Sequence, residues 1–212
     1  MTHLRHAPAL LLCLLAVGGC GGSNGPARSK KASAGMTEAR TEVNKSTVQL
    51  DATMASLAAM TAEPGKNLRA KYADFSSNLA ETREIAAETG AKADRMRTDG
   101  DDYFAEWENE AADIANEDIR TMSTDRRIEL KARFHEISTS FAAVKAAYAP
   151  VISDLTDIER SLGNDLTPAA ITAITPIADK ARRNADDLRV ETTALSSRID
   201  NLVATLSPGE RR

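Results

Sequence analysis

The chain has 212 residues, of which 42% are hydrophobic, 27% are charged and only 4% are aromatic. Its formal net charge of −4 argues against a nucleic-acid partner, because phosphate binding requires a basic surface. Frequent alanine with few aromatic residues favours long, closely packed helices over a broad globular core.

The first residues have the pattern of a secretory signal. Arg5 lies in a short basic segment, and the apolar run that follows it, residues 7–17, is too short to span a bilayer stably. The run leads into Val-Gly-Gly-Cys at residues 17–20, which resembles the lipobox of bacterial lipoproteins. This resemblance implies a signal peptide over residues 1–19, cleavage before Cys20 and acylation of Cys20. Two or three acyl chains form a stable membrane anchor.

The residues after the cysteine predict where the protein resides and how it is held. Gly21 stands where an aspartate would resemble an inner-membrane retention signal, so an outer-membrane protein that faces the periplasm is expected. Small polar residues with Pro26 give residues 21–35 no periodic apolar face. We therefore predict that residues 20–35 form an acylated, disordered tether.

Apolar residues then recur at steps of three and four, which predicts four helices within residues 36–206. The longest seam, from Leu68 to Ile114, crosses Gly90 and Gly100, which weaken a helix without having to end it. The predicted helices run from about Met36 to Ala62, from Lys66 to Arg120, from Ser123 to Leu162, and from Thr167 to Leu206. We expect residues 207–212 to form a disordered tail.

The four seams can be docked as antiparallel neighbours joined by short loops. Helix one covers helix two only to about Ala93 in this arrangement, so the sequence predicts an all-α, elongated antiparallel coiled-coil bundle of four unequal helices, three-stranded at one end. The predicted contacts include Leu57 with Tyr72, Trp107 with Ile137, and Phe141 with Leu188. The predicted ion pairs of the middle hairpin are Asp118 with Arg126, Glu117 with Arg127, and Asp113 with Lys131.

One level of the bundle is expected to be weak. Gly90, Ser153 and Pro176 fall at the same height in this alignment, and Pro150 lies within a turn of it. Proline inside a helix removes a backbone hydrogen bond and kinks the helix. The sequence therefore predicts a bend at this level.

Two short motifs resemble a known family. Tyr-Phe-Ala-Glu-Trp-Glu at residues 103–108 and Tyr-Ala-Pro-Val at residues 148–151, with the turn from Leu162 to Ile171, are similar to domain-of-unknown-function family 2959. This is an uncharacterised bacterial family of helical, coiled-coil exported proteins. The resemblance covers about residues 36–206 and implies no activity, cofactor or substrate.

The candidate site residues are few. Phe104 lies off the main seam, so we expect it either to contact helix four or to be exposed. An exposed Phe104 flanked by Glu106 and Glu108 would form a modest partner-binding patch. Glu110 lies on the seam and is expected to reach solvent or pair with Arg133.

No metal, cofactor or catalytic site is predicted. Removal of the signal would leave His135 as the only histidine, and it lies off the seam, where we expect it to be solvated. A single histidine cannot supply the ligands of a di-iron or structural zinc site. A thin bundle also offers no pocket for a histidine-dependent nucleophile.

The sequence therefore favours a non-enzymatic, lipid-anchored periplasmic rod that acts as a spacer, scaffold or partner-binding protein of the bacterial envelope. Its expected partners are the membrane, through the acyl anchor, and another envelope protein, and the seams leave open whether a second copy completes the bundle. The alternative is a binding protein for an apolar or peptide ligand, accessory to a transport or envelope-stress system. That alternative requires an exposed groove at the bend.

Overall fold

The computed structural model describes residues 25–206, and this part of the chain folds into four α-helices without a β-strand. The helices are α1, Gly25–Ala62; α2, Leu68–Ala112; α3, Glu117–Asn164; and α4, Pro168–Leu206. The predicted all-α bundle of four helices is confirmed. The predicted signal peptide, the acylation site Cys20 and the C-terminal tail lie outside the described residues.

The helices form a closed antiparallel ring. Each helix packs on the one before and the one after it in sequence, and α4 packs back on α1. Thr47 and Thr192 join α1 to α4 through their hydroxyls at 3.4 Å, and the Arg189 guanidinium donates to Asp51 at 2.6 Å. The apolar core lies between the four helices along their length. This arrangement is a four-helix bundle with up-down-up-down connections.

Helix α1 begins earlier than the sequence predicted. Residues 25–35, assigned to the tether, are helical, and Ala32 is buried in the core. Arg28 forms an ion pair with Glu110, and the Lys31 ammonium lies 2.8 Å from Asp99. The tether prediction is therefore wrong from residue 25 onward, because small residues suit a flexible linker and a close helix contact equally well. Because α1 is longer than predicted, it reaches the end of the bundle near the α2–α3 turn. That end therefore has four helices and not the predicted three.

The turn between α2 and α3 lies earlier in the chain than predicted. α3 begins at Glu117, after Asn116, whose side chain accepts a hydrogen bond from the Ile119 backbone N–H at 3.1 Å. Ser123, predicted as the N-cap of this helix, lies inside α3 and accepts a hydrogen bond from Nε1–H of Trp107 at 2.8 Å. Both serine and asparagine are good N-caps, so the pattern alone could not choose between them.

The register of α2 against α3 changes with that turn. Phe104 contacts Phe134 with ring centroids 5.7 Å apart, and the Arg127 guanidinium donates to Glu108 at 3.1 Å. The predicted register, with Trp107 against Ile137, is therefore wrong, and the three predicted ion pairs do not form among residues 25–206.

Other predicted features agree with the structure. Helix α2 is continuous through Gly90 and Gly100, a point that the sequence pattern left open. Pro168 occupies the first position of α4, and the Thr167 hydroxyl accepts a hydrogen bond from the Ala170 backbone N–H at 3.2 Å. Pro150 and Pro176 lie inside continuous helices, as expected, and the bend at their level stays a prediction.

The two glycines within α2 should respond oppositely to alanine. A Cβ at Gly100 would overlap the Phe134 ring, so we expect Gly100→Ala to destabilise the protein by about 1–3 kcal/mol. A Cβ at Gly90 meets nothing within 4 Å beyond its own helix, so Gly90→Ala should stabilise by about 0.5–1 kcal/mol through helix propensity. Urea denaturation followed by circular dichroism measures both changes. Equal stability of the two variants would contradict the close approach at Gly100.

Candidate functional site: a groove between α2 and α3

A groove of about 650 Å³ lies between α2 and α3 near the middle of the bundle. Its α2 wall consists mainly of small residues, its α3 wall carries larger ones, and α1 and α4 form its floor. The principal residues are Ala86, Gly90 and Ala93 on α2, Phe141, Tyr148 and Ile152 on α3, Val43 and Ser46 on α1, and Thr192 on α4. A groove of this size is typical of small-molecule sites.

The two helices are held together at both ends of the groove. At the end near the α2–α3 turn, the Phe134 ring packs against the backbone of Gly100 and against Phe104. At the other end, the Arg83 guanidinium donates to Thr156 Oγ1 and Glu159 Oε2, both at 2.8 Å. Between these clamps the small α2 residues do not fill the space opposite the α3 side chains, and the groove results.

The floor of the groove is neutral. Ser46 donates a hydrogen bond to the Tyr148 hydroxyl at 3.2 Å. Burial raises the pKa of Tyr148, so this phenol stays protonated at neutral pH. The Ser138 hydroxyl lines the groove, is buried and has no hydrogen-bond partner among the described residues. The hydroxyl groups inside the groove are therefore uncharged, and its interior suits an apolar ligand.

The rim of the groove is charged. Asp94 and Arg97 on α2 and Lys145 on α3 line it, and all three residues are exposed. Their side chains make neither an ion pair nor a hydrogen bond within residues 25–206, so they are available to a ligand in solution.

The partner patch predicted from the sequence does not form. Glu106 and Glu108 are exposed, but Phe104 is only 1% exposed and contacts Tyr103, Trp107 and Phe134. The predicted patch therefore lacks its apolar centre. A helix with two bundle neighbours buries a wider stripe than a two-stranded seam, so a residue beside the seam is also buried.

Two further expectations concern single residues. Glu110 pairs with Arg28 of α1 and not with Arg133, because α1 extends to this end of the bundle. His135 is exposed, as predicted.

The sequence indicated only the height along the bundle at which the groove lies. Gly90 and Ser153, which marked the predicted bend, both line it. The signal that could have found it is the row of small residues at positions 86, 90 and 93, which share one face of α2. That row has structural meaning only once the α2–α3 register is known.

Residues 25–206 contain neither a metal-binding cluster nor a helix that could span a membrane. No three histidine, cysteine, aspartate or glutamate side chains among residues 25–206 converge in a way that could hold a metal ion. None of the four described helices combines the length and the apolar character needed to cross a membrane.

Burial of Phe104 predicts a large effect of truncation. We expect Phe104→Ala to lower the free energy of unfolding by about 3–5 kcal/mol, because it leaves a cavity beside Phe134. Glu106→Ala, two residues away and exposed, should change it by less than about 0.5 kcal/mol. Chemical denaturation measures both values. A small effect of Phe104→Ala, matching that of the control, would show that the side chain lies at the surface.

Comparison with known proteins identifies the family of the chain. No curated protein and no solved structure matches the chain. A family model described as "Protein of unknown function (DUF2959)" matches residues 30–206, which include α2, α3, α4, all of α1 after residue 29 and every residue that lines the groove. The chain belongs to this DUF2959 family.

Proposed function

We propose that the protein is a non-enzymatic, lipid-anchored binding protein of the bacterial envelope, which faces the periplasm and holds an apolar ligand in the α2–α3 groove. The proposal is based on the groove. It is bounded at both ends, its floor is uncharged, and small residues at Ala86, Gly90 and Ala93 leave its α2 wall accessible. Burial of apolar surface in such a groove supplies about 25 cal/mol per Å².

The anchor is the second part of the proposal. The amino end of α1 and the turn between α2 and α3 lie at the same end of the bundle, as the Arg28–Glu110 ion pair supports. If Cys20 is acylated, the residues between it and Gly25 can span at most about 18 Å. Ile119 and Met122 are 54% and 71% exposed close to this turn, which suits an end that faces a membrane.

The bundle would also act as a spacer. Helical rise places the groove residue Val43 about 27 Å beyond Gly25 along α1. An anchored bundle therefore holds the groove in the periplasm, away from the lipid surface. Outer-membrane attachment remains the favoured form of this proposal.

A second candidate is a scaffold that binds another envelope protein. Val48 on α1 and Val190 on α4 are 69% and 68% exposed. Val48 follows Thr47 and Val190 lies two residues before Thr192, and the hydroxyls of Thr47 and Thr192 are in contact, so the two valines lie at nearly the same level of the bundle. Exposed apolar side chains on neighbouring helices are a feature of contact surfaces.

Binding in the groove can be tested with a neutral hydrophobic dye, Nile red. We expect its fluorescence to rise on binding to the protein. Gly90→Leu should weaken the affinity about tenfold, because the new side chain takes the space of roughly two ligand methylene groups. The control is Ala87→Leu, which adds the same side chain at an exposed position on the same helix. Equal dye affinity of both variants and the wild type would exclude the groove as the binding site.

The anchor has its own test. In bacterial cells that express the full chain, Cys20→Ser should move the protein from the membrane to the soluble fraction, because the acylated thiol is lost. Cys13→Ser is the matched control, since Cys13 lies in the segment that the predicted cleavage removes. Cell fractionation followed by immunoblotting measures the distribution. Membrane retention of the Cys20→Ser protein would refute the lipid anchor.

A further inference from the structure

The groove has a positively charged rim. Arg97 on α2 and Lys145 on α3 line it from opposite walls, and neither side chain has a partner among residues 25–206. Asp94 is the one carboxylate among the lining residues. The charges on the rim therefore favour a ligand that carries negative charge.

The charged and uncharged residues of the groove are separated along its length. Because α2 and α3 are antiparallel, Asp94 and Arg97 lie in the half of the groove nearer Ser138, and Lys145 lies near its middle. The lining residues of the other half, toward Ala86 and Ile152, carry no charge. A ligand with one charged end and one apolar end matches this arrangement.

We propose that the groove binds a single-chain amphiphile with an anionic head group, an inference that rests on the proposed apolar-ligand function. The head group lies near Arg97 and Lys145. The hydrocarbon chain extends between the small residues of α2 and the aromatic residues of α3 toward Ala86. A carboxylate can accept hydrogen bonds from guanidinium and ammonium groups at once.

The length and width of the groove suit a ligand with a single hydrocarbon chain. The lining residues of α2, Ala86 to Arg97, span about 16 Å along the helix axis, comparable with an extended dodecanoate chain. The Phe104–Phe134 contact and the Arg83 hydrogen bonds close the two ends. A partner helix is about 10–12 Å wide and would need open ends, so the closed groove favours the narrower ligand.

Three probes with the same chain and different head groups test the proposal. Dodecanoate is anionic, dodecanol is neutral and dodecyltrimethylammonium is cationic, and each is used below its micelle concentration. Displacement of Nile red from the protein reports the affinity of each probe. We expect dodecanoate to bind on the order of tenfold more tightly than the other two, because two cations face its head group.

Substitution of the rim isolates the role of charge. In the double variant Arg97→Gln/Lys145→Gln, dodecanoate affinity should fall on the order of tenfold, and dodecanol affinity should not change. The control Arg95→Gln removes an exposed cation on α2 outside the groove and should leave both affinities unchanged. Circular dichroism verifies that each variant folds.

The possible outcomes separate the two proposals. Equal binding of all three probes, weakened about tenfold by Gly90→Leu, would overturn the anionic head group and leave the apolar groove intact. Failure of all three probes to displace bound Nile red would overturn the single-chain ligand, and failure of Nile red and of all three probes to bind would overturn both proposals. Stronger binding of a helical amphipathic peptide than of dodecanoate would also overturn the single-chain ligand.

Discussion

The packing of the Phe134 ring against the backbone of Gly100 determines how closely α2 and α3 approach each other near their turn. Any larger residue at position 100 would overlap the ring, so the helices can meet there only because this position lacks a Cβ. At the opposite end, Arg83 reaches across to Thr156 and Glu159. The groove exists because these two contacts fix the helices at a distance that the small residues between them do not fill.

The closed ring of four helices explains most differences between the expected and the observed surface. A helix in a two-stranded coiled coil buries a narrow seam, whereas each helix here has two neighbours and buries a wider stripe. Phe104 is buried for this reason, although it lies beside the seam and not on it. The same ring brings Arg28 of α1 to Glu110 of α2, which gives a charged side chain on the seam an ionic partner.

The chemistry of the groove is divided between its floor and its rim. Tyr148 and Ser46 satisfy each other by a hydrogen bond, and burial keeps the Tyr148 phenol neutral. The cationic side chains of Arg97 and Lys145 lie at the rim, where they are exposed to water. The groove thus combines an uncharged interior with a rim that carries Arg97, Lys145 and Asp94.

The sequence by itself determined the four helices, their antiparallel order and the family, because apolar periodicity, proline and capping residues act locally. Thr167 and Pro168 set the start of α4 without help from the rest of the chain. The sequence also predicted that Gly90 and Ser153 lie at the same height along the bundle. Only the tertiary structure decided where α1 begins, which of Asn116 and Ser123 caps α3, and therefore which residues of α2 face α3. Those outcomes depend on the fit of side chains from separate helices, such as Phe134 at Gly100, and local patterns do not contain that information. The groove follows from that fit, so it could be located only after the helices were packed.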